Sequence, residues 1–305
     1  MTQENALNHA LNLLEETGPE QAYLYLKNHS GQWEQLDSQY YNFLYCLASI
    51  IDKDEEALTY LEEAIVERGL WYRPQVFEDD DLDNIRDTER FKRCKSISDE
   101  RFYEAEKSAQ TICTWNAKEK NCLALALHGN QQNIQDSQNA WGFLEALGYQ
   151  VEYVQSKHID SYGIYRWEDN LADEEQLKKV LESTMWHQYE ETVLCGFSAG
   201  CHVILKAMLD EAIECDTLIL QSPWIPLSDT SIEALTLALR SKKTRVFIMC
   251  GKDDRDCFDQ SLRLYQKLKF DGVKVSKQWI EHLGHEFSPN YTGLVKDFLE
   301  GEDED

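Results

Sequence analysis

The sequence is poor in basic residues: its 305 positions hold 30 Lys and Arg against 56 Asp and Glu, a formal net charge of -26. A surface with this excess of negative charge repels phosphate backbones and anionic lipids. Binding of nucleic acid and attachment to a membrane surface are therefore not expected. Polyanionic substrates such as acyl-coenzyme A are disfavoured for the same reason, because repulsion slows their approach.

Long apolar runs and closely paired cysteines are also missing. No apolar run reaches the roughly 20 residues that span a bilayer, and Met1–Asn8 is polar and unlike a secretion signal. The nine cysteines are odd in number and no two have C-x-x-C spacing, which indicates reduced thiols. With 42% hydrophobic and 28% charged residues, the composition is that of a folded protein. We expect it to be soluble and cytoplasmic.

The first hundred residues carry a helical pattern, with apolar residues recurring at three- and four-residue intervals. A weak internal repeat lies within them: Ala22–Leu26 and Ala57–Leu61 share the pattern A-x-x-Y-L at an offset of 35 residues. That offset is close to the period of helix-turn-helix solenoid repeats, in which each helical hairpin needs a neighbour to bury its apolar stripe.

The same region resembles the terminal module of a tetratricopeptide array. The resemblance covers about Gln39–Lys95 and includes the helical stretch Tyr41–Ser49 and the D-x-D-L pattern at Asp79–Leu82. It implies a small all-α helical-repeat domain, which we assign to residues 1–98. Such a domain either packs as a capping helical bundle or offers a groove to a protein partner.

From about residue 111 the pattern changes to strands alternating with helices. This alternation is typical of β-α-β units, and it predicts an α/β fold with a mainly parallel sheet flanked by helices over residues 99–305. Residues 99–120 are a linker or contain a first strand, at Thr111–Trp115. One predicted strand is Asn121–Leu127, in which Leu123–Leu127 is apolar throughout, as a central buried strand is. The other predicted strands are Gln150–Gln155, Thr192–Cys195, Thr217–Leu220, Thr244–Cys250 and Val273–Ile280.

The motif Gly196-Phe197-Ser198-Ala199-Gly200 follows one of these strands and leads straight into a predicted helix. It is G-x-S-x-G in the strand-turn-helix context of a nucleophile elbow. Such a turn holds the serine in a sparsely populated backbone conformation, and its glycines let the strand and the helix approach closely. Ser198 is therefore a candidate catalytic nucleophile. The alternative is a tight structural turn.

A serine hydroxyl needs a base within hydrogen-bond reach, and that base needs a buried acid to orient it. Two later strand ends supply the candidates, which are Asp253, Asp254 and Asp256 after one strand and His282 and His285 after the next. Ligand-binding residues of a parallel sheet lie at the carboxyl ends of its strands, so these groups are expected to meet the serine. The two histidines also have a metal-like spacing, but no cysteine or third histidine supports a zinc site, and we expect no metal.

His128-Gly129-Asn130 follows the buried strand that ends at Leu127. The anion that forms on a substrate carbonyl needs preorganised N–H donors, each of which lowers the barrier by roughly 3 kcal/mol. The predicted donors are the backbone N–H of Ala199, at the positive end of its helix, and that of Asn130. His128 is an alternative base, although an H-G pair in this place more often shapes the oxyanion loop.

Together these elements resemble an α/β-hydrolase, similar to the small carboxylesterase and dienelactone-hydrolase-like group, over about Asn121–Leu299. The chain order Ser, Asp, His is the order of this fold. The resemblance implies Asp254 as the acid, because the family has G-x-x-D after the corresponding strand. It implies His285 as the base, because G-H-x-F matches the family, and it leaves His282 as a structural histidine with satisfied nitrogens.

The resemblance implies a serine hydrolase that forms an acyl-enzyme on Ser198 and needs no metal or cofactor. Tyr162, Tyr165, Trp167 and Trp224 either line a substrate pocket or pack a loop onto the sheet. We expect the substrate to be a neutral carboxylic ester of small or medium size. The alternatives are a thioesterase or peptidase of the same fold, and an interaction scaffold with an inactive hydrolase fold.

Overall fold

The computed structural model describes residues 2–115, 119–168, 171–210 and 213–301. The chain divides into two compact units, Met1–Ala109 with Ile159–Ile164 and Gln110–His158 with Tyr165–Asp305. The boundary predicted after residue 98 falls inside a helix that runs to Ser108. That helix continues because Ser98 and Phe102 extend its buried face by one more turn.

Among its described residues, the first unit holds five α-helices: α1 (Gln3–Thr17), α2 (Pro19–His29), α3 (Ser38–Ile50), α4 (Asp54–Glu62) and α5 (Glu89–Ser108). Local chemistry decides where the first two begin and end. Thr2 and Asn5 form a reciprocal capping box at the start of α1. Gly18, with a φ of 93°, ends α1, and Pro19 begins α2 because its fixed φ suits the first helical position.

The repeat detected in the sequence occupies equivalent places in α2 and α4. Ala22 and Leu26 in α2 match Ala57 and Leu61 in α4, and all four side chains are fully buried. Each of these helices packs on the one before it, as the second helix of a hairpin. The repeat therefore marks the face that each hairpin buries, whereas the likeness to a tetratricopeptide module stays a prediction.

The second unit is built on a sheet that has seven strands within the described residues, in the order β1-β3-β2-β6-β7-β8-β9. β1 runs antiparallel to β3, and the other neighbouring strands are parallel. The strands are β1 (Ile112–Cys113), β2 (Cys122–Leu127), β3 (Tyr149–Gln155), β6 (Glu191–Phe197), β7 (Thr217–Gln221), β8 (Arg245–Gly251) and β9 (Val275–Ile280). The helices are α6 (Ile134–Trp141), α7 (Leu171–Ser183), α8 (Ala199–Asp210), α9 (Asp229–Lys242), α10 (Phe258–Phe270) and α11 (Tyr291–Glu300).

Strand β2 illustrates why helices cover both faces of the sheet. Its side chains alternate, so Leu123, Leu125 and Leu127 lie in one apolar core and Ala124 and Ala126 lie in another. Helices α7 to α10 complete the first core, and α6 and α11 complete the second. The predicted fold class, a mainly parallel sheet flanked by helices and preceded by an all-α region, is confirmed.

The structure also contains elements that the sequence pattern did not predict. Two short strands, β4 (His158–Ser161) and β5 (Ile164–Arg166), pair as a separate two-stranded sheet. They are too short for side-chain alternation to identify them. Helix α6 ends at Trp141, and a 3₁₀ helix follows it from Gly142 to Leu147. No α-helix within the described residues combines the length and the hydropathy needed to cross a membrane.

Candidate active site

Ser198 stands at the sharp turn between β6 and α8. Its φ of 52° lies in the left-handed region, which a residue other than glycine rarely adopts. Backbone hydrogen bonds hold this turn: the N–H of Ser198 donates to the carbonyl of Gln221 at 3.0 Å, and its own carbonyl accepts from Cys201 and Trp224. The serine is thereby held at the carboxyl edge of the sheet, where parallel strands present ligand-binding groups.

The two glycines of the motif make room for different neighbours. A Cβ on Gly196 would lie 2.9 Å from the backbone nitrogen of Cys201, so β6 and α8 would no longer fit together. A Cβ on Gly200 would overlap the carbonyl oxygen of His128, which follows β2. Gly196 therefore allows the close approach of strand and helix that the sequence predicts. Gly200 instead allows the loop after β2 to approach α8.

The side chains of Ser198, His285 and Asp254 form one hydrogen-bonded chain. Ser198 Oγ lies 2.9 Å from His285 Nε2, and His285 Nδ1 lies 2.8 Å from Asp254 Oδ2. The other carboxylate oxygen of Asp254 accepts the backbone N–H of Cys257 at 3.1 Å. Beside an ionised Asp254, Nδ1 carries the imidazole proton, which leaves Nε2 as an acceptor for the serine hydroxyl.

Burial and hydrogen bonding act in opposite directions on the Asp254 carboxyl group. Its side chain is 1% exposed, and this desolvation by itself would raise the pKa. The hydrogen bond and charge of His285, with hydrogen bonds from Cys257 and Ser222, outweigh burial and lower the pKa of Asp254. Asp254 is therefore a carboxylate at neutral pH, which is the state that orients an imidazole and stabilises an imidazolium.

The loops after β8 and β9 are tied together so that these side chains meet. Gly251 ends β8, and a Cβ on it would overlap the carbonyl oxygen of Leu283, in the loop that carries His285. The same carbonyl accepts the N–H of Asp253 at 3.0 Å. The need for glycine at position 251 arises from this close approach, which no local sequence pattern reveals.

The other acid and histidine candidates lie outside the hydrogen-bonded chain. Asp253 is exposed and lies 3.9 Å from Nδ1 of His282. The side chain of His282 is 93% exposed, so the expectation of a structural histidine with satisfied nitrogens is wrong. Its place in the turn after β9, with a φ of 56°, leaves it in solvent. Asp256 is exposed and lines the cavity beside Ser198.

The loop after β2 is shaped by a buried histidine. Nδ1 of His128 donates to the carbonyl of Gly129 at 2.6 Å, and Nε2 accepts the N–H of Ser156 at 3.1 Å. Burial lowers the pKa of His128 to about 4, so the ring is neutral near pH 7. Because both nitrogens are engaged, His128 shapes the loop and is not placed to act as a base on Ser198.

Ser198 opens into a cavity of about 250 Å³. Its lining consists of Asn130, Ser198, Ala199, Trp224, Asp256, Cys257, Gln260 and His285. Ala199 and Asn130, the two residues predicted to stabilise an oxyanion, thus share one cavity with the hydroxyl. In the described parts of the chain, no acceptor is bonded to the backbone N–H of either residue.

Of the two tryptophans predicted to bind substrate, one lines the cavity and the other is buried against the loop after β2. Trp224 lines the cavity and packs on His202, with ring centroids 5.0 Å apart. Trp167 is buried against the loop after β2, where it stacks on His128 and donates its indole N–H to the carbonyl of that residue at 2.7 Å. Asn130 Oδ1 accepts the backbone N–H of Trp167 at 2.7 Å. Trp167 therefore holds the loop after β2 and does not line the cavity.

The two tyrosines of that prediction also lie outside the cavity lining. Tyr165 pairs with Gln132 through the backbone and so anchors the loop after β2. Tyr162 belongs to the first unit, where its ring contacts Trp71. Tyr165 thus matches the alternative interpretation, in which the residue packs a loop, whereas Tyr162 is 53% exposed and matches neither interpretation.

No sequence pattern points to Gln221, the last residue of β7. It is fully buried, and its carbonyl accepts the N–H of Ser198. Its side-chain Nε2 donates to Ser222 Oγ at 3.1 Å and to the carbonyl of Glu286, next to the histidine, at 3.0 Å. Ser222 in turn hydrogen-bonds Asp254. Through its backbone carbonyl and its side chain, this one buried residue thus connects the strand ends that carry the serine, the histidine and the aspartate.

Asp254, Cys257 and His285 also bring three potential metal-ligand atoms within 4.8 Å of one another. A cysteine binds a metal as thiolate, but burial and the nearby carboxylates raise the pKa of Cys257. The histidine nitrogen that faces Asp254 already donates a hydrogen bond to it. This set of groups therefore fits a hydrogen-bonded proton relay better than a metal site.

Residues 2–106 match a family model described as "A/B hydrolase-like, N-terminal domain". The match covers the helical region almost to the end of α5 and does not extend into the sheet. No curated protein sequence matches the chain.

Among solved structures, an uncharacterized protein from Bacillus cereus ATCC 10987 is similar over 99% of this chain and 100% of its own, with 29% identity and a TM-score of 0.57. Esterase PE8 is 18% identical over 64% of this chain and 98% of its own, with a TM-score of 0.49. Zea mays acyl-protein thioesterase 2 is 16% identical over 63% of this chain and 98% of its own, with a TM-score of 0.47. The last two likenesses are too weak to indicate an activity. The chain is thus similar to A/B hydrolase-like proteins in its N-terminal domain, and the sheet that follows has the α/β-hydrolase fold.

Proposed function

We propose that this protein is a serine hydrolase that cleaves a carboxylic ester of small or medium size through an acyl-enzyme on Ser198. The observation that carries the proposal is the hydrogen-bonded chain from Ser198 through His285 to the buried carboxylate of Asp254. This chain opens on a cavity that also contains two backbone N–H groups. The arrangement supplies a nucleophile, a base, a group that orients the base and a site for an anion.

In the first half of the proposed reaction, Ser198 Oγ attacks the ester carbonyl while its proton passes to His285 Nε2. Asp254 stabilises the resulting imidazolium, and the lowered pKa of Asp254 keeps it ionised in this role. The carbonyl oxygen becomes an anion, which accepts hydrogen bonds from the N–H groups of Ala199 and Asn130. His285 then gives its proton to the departing alcohol, and the acyl group stays on the serine.

In the second half, a water molecule takes the place of the alcohol. His285 accepts a proton from the water, and the hydroxide attacks the acyl carbon of the ester formed on Ser198. The same two N–H groups bind the second oxyanion. Collapse of this intermediate releases the carboxylic acid, and His285 returns the proton to the serine oxygen.

The cavity supports a limit on substrate size. Its volume of about 250 Å³ lies just under the roughly 300–1,000 Å³ that drug-sized ligands occupy. A short acyl chain or a small alcohol fits this space. The net charge of -26 supports esters that are not anionic.

Labelling with a fluorophosphonate probe tests the proposal directly, because the probe phosphonylates a serine only when a base activates it. We expect the wild type to be labelled once per chain and Ser198→Ala not to be labelled. Ser241→Ala, which changes an exposed serine on α9, serves as the matched control and should label like the wild type. A folded wild type that resists labelling would support the inactive scaffold instead.

Substrate panels separate the activities that share this fold. p-Nitrophenyl esters of increasing acyl length, the corresponding thioesters and aminoacyl-p-nitroanilides pass through the same type of oxyanion. We expect the highest kcat/KM with short esters. Faster cleavage of the anilides would identify a peptidase. A protein partner of the helical unit stays a prediction from its resemblance to a tetratricopeptide module.

A further inference from the structure

Asp256 is an acidic residue in the cavity that the proposed reaction does not use. It lines the same cavity as Ser198 and His285. Its backbone carbonyl accepts a hydrogen bond from Gln260 Nε2 at 2.8 Å. Within the described residues, no hydrogen-bond donor or cation is paired with its carboxylate.

The other side-chain oxygens that could face a cation in this lining, those of Gln260 and Asn130, already accept hydrogen bonds. Gln260 bonds to the backbone through both ends of its amide, donating to Asp256 and accepting from Ile225. Asn130 Oδ1 accepts from a tryptophan N–H, and burial together with the nearby carboxylates keeps Cys257 a neutral thiol. Among the described lining residues, Asp256 is thus the acidic side chain that is left for a cationic ligand.

None of the described residues that line the cavity is a lysine or an arginine. Lys252 and Arg255 are close to Asp256 in sequence, but neither lines the cavity. Lys252 instead pairs with Glu281. The lining also includes Trp224, and an indole ring attracts a cation through its electron-rich face.

We infer that the site is selective for an ester that carries an ammonium group, bound between the carboxylate of Asp256 and the ring of Trp224. This inference rests on the proposed hydrolysis, and it replaces the neutral ester predicted from the sequence with a cationic one. The net charge of -26 acts in the same direction, since it concentrates cations near the protein. Because Asp256 is exposed, solvent weakens its attraction for a cation. We therefore expect kcat/KM to be about 5- to 10-fold higher for a cationic ester than for a neutral ester of the same shape.

The test compares pairs of esters that have the same shape and differ in one charge. Choline butyrate is paired with 3,3-dimethylbutyl butyrate, which places the charge on the alcohol side. p-Nitrophenyl 4-(trimethylammonio)butanoate is paired with p-nitrophenyl 5,5-dimethylhexanoate, which places it on the acyl side. The ratio of kcat/KM within each pair is measured for the wild type, for Asp256→Asn and for the matched control Asp253→Asn, an exposed carboxylate outside the cavity.

Comparing ratios between variants removes the intrinsic reactivity of each ester. For at least one pair, the preference for the cationic ester should fall about 5- to 10-fold in Asp256→Asn and stay as in the wild type in Asp253→Asn. Equal ratios in all three proteins would overturn the inference and leave the hydrolase proposal standing. A wild type that cleaves none of the four esters and resists the fluorophosphonate would overturn both.

Discussion

The second unit contains two aspartate-histidine pairs in which the aspartates have similar burial and similar hydrogen bonds. Asp254 and Asp173 are both buried, with 2% and 0% of their surface exposed. Each gives one carboxylate oxygen to a histidine nitrogen, at 2.8 Å for His285 and 3.0 Å for His158. The second oxygen of each accepts a backbone N–H, at 3.1 and 2.8 Å. A buried acid that orients an imidazole is therefore not special to the candidate active site.

The pairs differ in what lies at the other nitrogen of the histidine. For His285 it is the hydroxyl of Ser198, 2.9 Å away, and 38% of the side chain is open to solvent. For His158 it is the carboxylate of Glu168, 3.5 Å away, and 15% of the side chain is open. A carboxylate has no proton that a base could remove, so His158 has nothing to activate. The third group decides whether such a pair performs chemistry or holds a loop.

Replacing the two histidines separates these roles most strongly. We expect His285→Ala to lower kcat/KM for a p-nitrophenyl ester by about 10⁴-fold or more, because the serine loses its base. His158→Ala should change it by less than about 10-fold, since position 158 takes no part in proton transfer. Equal losses in both variants, measured per folded molecule, would show that the comparison is wrong.

Replacing the two aspartates should give the next largest contrast. Asp254→Asn is expected to lower kcat by about 10³- to 10⁴-fold with little loss of fold, because the amide favours the wrong tautomer of His285. Asp173→Asn should instead lower the free energy of unfolding by about 1–3 kcal/mol, since a buried hydrogen-bond partner is lost. Rates on short esters and urea unfolding of both variants test this. Unchanged catalysis in Asp254→Asn would contradict the assignment.

Two glycines test whether the loops after β8 and β9 must touch. In Gly251→Ala the new methyl group meets the carbonyl of Leu283, so the loop with His285 has to move. If this moves the His285 imidazole by about 1 Å, we expect kcat/KM to fall about 10²-fold. Gly284→Ala, next to the histidine, meets no atom within 4 Å and should leave kcat/KM within about threefold. If Gly251→Ala keeps its full rate and stability, the close approach is not needed.

Gln221→Met keeps the volume of the side chain but removes its donor to Ser222 and Glu286. We expect kcat to fall about tenfold, with KM unchanged, because the strand ends around the relay are held less well. Fluorophosphonate titration gives the fraction of active sites, and kcat is expressed per titrated site. A loss confined to that fraction would assign Gln221 a purely structural role.

The last prediction concerns stability at acid pH and a third histidine, the buried His128, whose hydrogen-bond partners among the described residues are two backbone groups. Its pKa of about 4 in the folded protein is below its value in the unfolded chain, so the unfolded state binds more protons. The stability that depends on the neutral ring is complete above pH 6.5 or so and is lost as the pH falls toward 4. Between pH 7 and 5 the free energy of unfolding should drop by about 2 kcal/mol.

Urea unfolding at several pH values measures this loss, with His128→Gln as the comparison. Glutamine has a donor and an acceptor but does not titrate, so the variant should show a shallower pH dependence over the same range. Identical slopes for the two proteins would assign the effect to other groups.

The sequence was a good guide wherever a residue's role depends on its neighbours along the chain. The alternation of apolar strands with helices predicted the sheet, and G-x-S-x-G predicted the turn at Ser198. It was a poor guide to which loop side chains are exposed and which are buried. His282 turned out to be exposed, and Trp167 supports a loop instead of lining the cavity. Their surroundings come from other segments, which no local pattern describes.

The amino-acid order by itself determined the main strands and helices, the fold class and a short set of polar groups near the carboxyl edge of the sheet, because periodicity and turn chemistry act over a few residues. The tertiary structure alone decided which groups touch. The register between β8 and β9 joined Asp254 to His285, while burial of Gln221 tied their loops to the serine turn. Those pairings depend on the positions of strands far apart in the chain, and a hydrogen bond is lost when its atoms move by about 1 Å.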